Sequence, residues 1–131
     1  MTDWSTMLLT KPEDAEEFTV HGVLFRSYSR SATGAGTLGA WQAAFPPNTP
    51  GVPHHMSVEE VFRVLSGRVQ AEIGDERAEL LPGDAVTIPA GSRFRVSNET
   101  EEPATAWIVT PLGMTFTIEG TTNTVNPPWA Q

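Results

Sequence analysis

The chain of 131 residues has no cysteine, which removes disulfides, thiolate nucleophiles and cysteine-ligated zinc together. Basic residues are scarce: eight Lys and Arg stand against sixteen Asp and Glu, for a net charge of −8. Nucleic acid is held by clustered Lys and Arg, and here the closest basic pairing is Arg93 with Arg95, so no nucleic-acid partner is expected. No run of eighteen apolar residues occurs, so no membrane span is expected either. The opening "MTDWSTMLLTKPEDAEE" has no basic region before its short apolar run and carries acids after it. That is unlike a secretory leader, and a cytoplasmic address is the default reading. Repeats, low-complexity tracts and Pro- or Gly-rich linkers are also missing, so residues 1–131 read as one domain.

What is present is punctuation. Eleven glycines and eleven prolines fall mostly between short apolar runs, the pattern of many short strands and turns. Near the N-terminus, Thr10, Pro12 and the acids that follow predict a short helix over about residues 11–17. "HGVLFRSYS" and "TLGAWQAAF" read as strands separated by the flexible loop "SRSATGAG", and "PPNTPGVP" is too turn-rich for a sheet interior. From Glu59 the alternation is strong. "EVFRVLSG" is a strand, and "RVQAEIGDERAELLPGD" is a hairpin with Val69, Ala71 and Ile73 on one face and Gln70 and Glu72 on the other. "AVTIPAG", "RFRVSN", "ATAWIVT" and "MTFTIEG" follow, giving eight or nine strands at the spacing of an all-β sandwich or barrel.

Two of these segments carry spaced residues that resemble the motifs of the cupin superfamily. Glu60, six residues and Gly67 match the end of its first motif, G-x5-H-x-H-x3/4-E-x6-G. "GDAVTIPAGSRFRVSN" supplies Gly83, Pro89, Gly91 and Asn98 of the second, G-x5-P-x-G-x2-H-x3-N. The resemblance covers residues 46–110 and implies an all-β cupin jelly-roll barrel, its core over about residues 38–118, with a pocket lined by both motifs. It also implies a homodimer, since small cupins often pair by their outer sheet faces.

In a metal-binding cupin the ligands are the two histidines and the glutamate of the first motif and the histidine of the second. Here those positions hold His54, Met56, Glu60 and Phe94, so two of the four ligands remain, and Asn48 replaces the leading glycine. His55 enters the register only if Pro53, which cannot bind, takes the first ligand position. One imidazole and one carboxylate are too few for a tight divalent site, so no cofactor is expected. The alternative is Fe, Mn, Ni or Zn held by His54 and Glu60 with His55 or Gln42, in a dioxygenase or hydrolase. The remaining histidine, His21, is placed in the first strand, far from the pocket mouth.

The leading expectation is a metal-poor enzyme moving protons on an apolar or aromatic metabolite, as an isomerase, cyclase or dehydratase does. His54 is its acid or base, and Glu60 its orienter, accepting a hydrogen bond from one ring nitrogen and favouring the protonated ring. Trp41, Met56, Phe62 and Phe94 are the candidate substrate-binding residues, although each is equally at home in an ordinary core. A ligand-binding or sensor module without catalysis is the third reading. Arg63, Arg93 and Arg95 are expected to be solvated or paired with acids, Glu59 to face away from Glu60, and Trp129 to anchor the proline-containing tail or to cap the barrel mouth.

Overall fold

The computed structural model describes residues 7–131, so residues 1–6, the start of the segment unlike a secretory leader, lie outside it. Twelve strands are present among the described residues. They are β1 (Glu16–Val20), β2 (Val23–Ser29), β3 (Leu38–Phe45), β4 (His54–Met56), β5 (Glu60–Ser66), β6 (Val69–Ile73), β7 (Glu76–Leu80), β8 (Ala85–Ile88), β9 (Arg93–Ser97), β10 (Ala104–Pro111), β11 (Phe116–Ile118) and β12 (Thr124–Val125). They form two six-stranded sheets, ordered β1-β2-β3-β10-β5-β8 and β12-β11-β4-β9-β6-β7. Every described pairing is antiparallel. No helix among the described residues is long and apolar enough to cross a membrane.

The expected N-terminal helix is not there. Pro12–Asp14 make a single 3-10 turn, and Lys11, at its N-cap, makes no side-chain capping bond. The chain then enters β1, pairing from Glu16 with Ser27 to Val20 with Val23. The hairpin turn is His21–Gly22, with φ of 51° and 81°. A two-residue turn with both φ positive matches the twist of the flanking strands. Sheet pairing of "EEFTV" thus overrides the local helix-start signals of Pro12 and the acids. The loop at 29–36 is partly ordered into another 3-10 turn, Ser31–Thr33.

Period-two alternation builds the core between the sheets. In β5, Glu60, Phe62 and Val64 are buried while Val61, Arg63 and Leu65 are exposed. Trp41, Ala43 and Phe45 of β3 and Ala104, Ala106 and Ile108 of β10 face the same interior. The opposing sheet adds Met56, Val69, Ala71, Phe94 and Val96. Two of the motif residues show what their positions require. Gly67 has φ of 73°, and a Cβ there would collide with the Pro103 carbonyl and Ala104. Asn98, fully buried, donates from Nδ2 to the carbonyls of Phe45 (3.1 Å) and Glu102 (2.8 Å) and accepts the Thr100 N–H at 3.0 Å. It ties β3, β9 and the following turn together.

Candidate active site

Between the sheets lies a cavity of about 130 Å³. Glu60, Phe62, Trp41 and Ile108 form the wall from the first sheet, and His54, Met56, Phe94 and Phe116 the wall from the second. All six residues singled out for catalysis or substrate binding therefore line one space. His54 pairs with Phe94 on one side and Ile118 on the other, and its ring sits edge-on to Phe94 and Phe116, with centroids 5.7 and 5.3 Å away. Strand alternation puts His54 and Met56 inward and His55 outward.

The His54 ring is oriented by the backbone. Its Nδ1 lies 2.8 Å from the Val52 carbonyl oxygen. A carbonyl only accepts, so Nδ1 carries the hydrogen and Nε2 of the neutral ring keeps its lone pair. No His54–Glu60 hydrogen bond occurs among the described residues, so the expected orienter role of Glu60 passes to Val52. Burial lowers the His54 pKa, the Val52 bond opposes it in part, and the neighbouring His55 and His21 lower it further. The ring is thus held toward its neutral form, opposite to the expected protonated one.

Glu60 is 4% exposed. Burial alone pushes its carboxyl up to about 8, so at neutral pH it is largely a protonated acid that can donate a hydrogen bond. Trp41 adds an indole Nε1–H, buried without a hydrogen-bond partner among the described residues.

Two expectations about the surroundings change, those for His21 and Gln42. His21 is not remote: it occupies the β1–β2 turn and lines the cavity. The "VHGV" between two strand-like runs was the available signal, since a residue-plus-Gly pair is the mark of a two-residue hairpin. Gln42 lies on the face of β3 opposite to Trp41, and His55 points outward, with Nδ1 3.3 Å from the Gly91 carbonyl and Nε2 3.8 Å from Glu119. Neither can join His54 and Glu60 at a metal. Among the described residues no three His, Asp or Glu side chains come together to hold one. With two donors, His54 and Glu60, this site does not fit a divalent ion.

The arginines turn outward as expected. Arg63 is exposed, Arg93 pairs with Glu119 (2.9 Å) and Glu72 (3.3 Å), and Arg95 donates to the Pro50 carbonyl (3.0 Å). Trp129, 4% exposed, both anchors the tail and lines the cavity. Its ring stacks on Phe25 with centroids 4.0 Å apart and planes 3° from parallel. Sequence gave no means of choosing its partner.

Comparison with known proteins now places the scaffold. A family model described as a cupin domain matches residues 41–110, more than half of the chain. The chain belongs to the cupin family. No curated protein sequence matches this cupin. Among solved structures, it superimposes on the polyketide cyclase RemF from Streptomyces resistomycificus with a TM-score of 0.73 at 21% identity, covering 81% of this chain and 80% of that one. A cupin sugar phosphate isomerase from Silicibacter pomeroyi gives 0.69 at 18% identity, covering 86% and 82%. Salicylate 1,2-dioxygenase from Pseudoaminobacter salicylatoxidans, in its adduct with gentisate, gives 0.69 at 19% identity, covering 83% of this chain but 32% of that longer one. At such identities the likeness is one of fold, and the three printed activities differ from one another.

Proposed function

We propose that this cupin is a metal-independent proton-transfer enzyme, of isomerase, cyclase or dehydratase type, acting on a small apolar molecule in the cavity between its sheets. The observation that carries the reading is the placement of two complementary neutral groups on opposite walls: the Nε2 lone pair of His54 and the carboxyl of Glu60. A carbonyl compound between them loses a carbon-bound proton to His54 Nε2 while Glu60 donates its proton to the carbonyl oxygen, giving the enol. Where the enol is conjugated to a second carbon, His54 delivers the proton there while the enol O–H returns its proton to the Glu60 carboxylate, and the isomerisation is complete. If a hydroxyl β to the carbonyl takes the acid's proton instead, it leaves as water and the C–H electron pair becomes the new double bond. Phe62, Phe94 and Met56 keep the space dry, which strengthens both hydrogen bonds.

The direct test follows exchange of the α-protons of cyclohexanone in deuterium oxide by NMR. Wild type is expected to accelerate exchange above buffer, dialysis against a chelator to leave the rate unchanged, and His54→Ala or Glu60→Gln to cut it by about 100-fold. Exchange at the buffer rate, or exchange abolished by the chelator, overturns the reading. Tight ligand binding without exchange would leave a binding module.

A homodimer is part of the same proposal, supported by apolar side chains on the outer face of the first sheet. Val61 and Leu65 are 41% and 45% exposed there, on the strand next to the one that carries Trp107 and Val109. Val61→Lys with Leu65→Lys is expected to halve the mass seen in sedimentation, and a wild-type monomer ends the idea.

A further inference from the structure

The charge arrangement of the cavity points to what it admits. Among the described residues no Arg or Lys lines it, because Arg63, Arg93 and Arg95 all leave the outer faces of their strands. The polar side chains that line it are Glu60 and His54, beside the indoles of Trp41 and Trp129, with the exposed His21 at the rim in contact with solvent. The Trp41 Nε1–H is buried away from that space, so it is not a group that a ligand meets there. The Glu60 carboxyl, buried and without a protein hydrogen bond among the described residues, is the group left to face a ligand oxygen. The cavity volume, about 130 Å³, is close to that of a cavity known to take up benzene, ~150 Å³.

We propose that the cavity takes an uncharged, single-ring molecule bearing a hydrogen-bond-accepting oxygen, and rejects carboxylates and phosphates of the same size. An anion there would shed its water with no fixed cation to receive it, in a chain of net charge −8. The inference rests on the cavity that the proton-transfer reading uses, but it concerns selection rather than chemistry.

Benzamide and benzoate have nearly the same shape and differ in charge, so calorimetric titration of both into the intact protein at pH 7 is decisive. Benzamide is expected to bind at least about tenfold tighter than benzoate. Glu60→Leu is expected to weaken benzamide by about tenfold, the effect of one lost hydrogen bond. Benzoate binding as tightly as benzamide, or benzamide failing to bind at millimolar concentration, overturns the proposal. An unchanged benzamide affinity in Glu60→Leu overturns the oxygen contact. If Glu60→Leu does not fold, the wild-type ratio still decides. Selective benzamide binding by a protein that fails to exchange α-protons would overturn the proton-transfer reading and leave this one standing.

Discussion

Glu60 and Glu72 are both strand glutamates, one on each sheet, and they meet opposite fates. Glu72 faces outward from β6 and collects three arginines: Arg93 at 3.3 Å, Arg95 at 3.6 Å and Arg77 at 3.9 Å. Arg77 reaches on to Glu99, and Arg93 to Glu119, so the outer face carries a network. Glu60 faces inward from β5 among aromatic rings, with no cation near it among the described residues. The difference lies in the pleat: Arg93 and Phe94 are neighbours, yet one meets the network and the other meets the cavity. Alternation delivers the charge of each strand to the side where water screens it and leaves the interior without any. The inner carboxyl stays because it is neutral.

The largest effect that would break this contrast is on pH stability. The folded protein holds the Glu60 proton up to about pH 8, whereas the unfolded chain releases it near 4.5. Stability from this group is therefore full below about 4.5 and is lost as pH rises to about 8. At about 1.4 kcal/mol per pH unit, the loss amounts to about 5 kcal/mol in urea unfolding. Glu60→Gln is expected to abolish that slope. His54 works in the other direction: its lowered pKa gives stability that is present above the ordinary histidine value and lost as pH falls below it. The acid-side decline should thus survive in Glu60→Gln, and a wild-type curve flat from pH 5 to 8 would show that Glu60 has a hidden partner.

Next in size, Trp129→Ala removes a buried indole from both the Phe25 stack and the cavity wall, for an expected loss of about 3–5 kcal/mol in the same assay. A loss under about 1 kcal/mol would mean that the tail only rests on the barrel. Arg93→Ala is expected to cost less than about 1 kcal/mol and to lose that effect in high salt, because its partners are part-exposed. A large, salt-insensitive loss would make the outer network as consequential as the inner carboxyl. Smallest of all, His55→Ala should shift stability by less than about 0.5 kcal/mol and leave proton exchange unaltered, since its ring is exposed.

How much of this was legible depended on whether a signal was local. The wall residues Glu60, Phe62, Met56 and Phe94 were legible because their strands alternate and the glycine–proline frame around them fixes register. The outward turn of the three arginines followed from the same rule. Gln42 was misplaced because its neighbour Trp41, not Gln42 itself, takes the inward phase of β3, and nothing in "AWQAAF" states that phase. The N-terminal helix failed because Pro12 and its acids are real helix-start signals that sheet pairing outcompeted. The Phe25 partner of Trp129 was hidden for another reason: it lies on a chain segment that meets the tail only in the folded barrel.

Trp129 carries that last point into the history of each molecule. Its carbonyl accepts a hydrogen bond from the Ser27 hydroxyl across 102 residues of chain, and the neighbouring carbonyl of Gln131 accepts from the Ser31 N–H. Contacts so far apart in sequence are slow to form, because a long loop must close before they return any energy. This part of the wall is therefore expected to close last on folding, and a chain truncated before Trp129 is expected to lack the Phe25 stack and to leave that side of the cavity open to water.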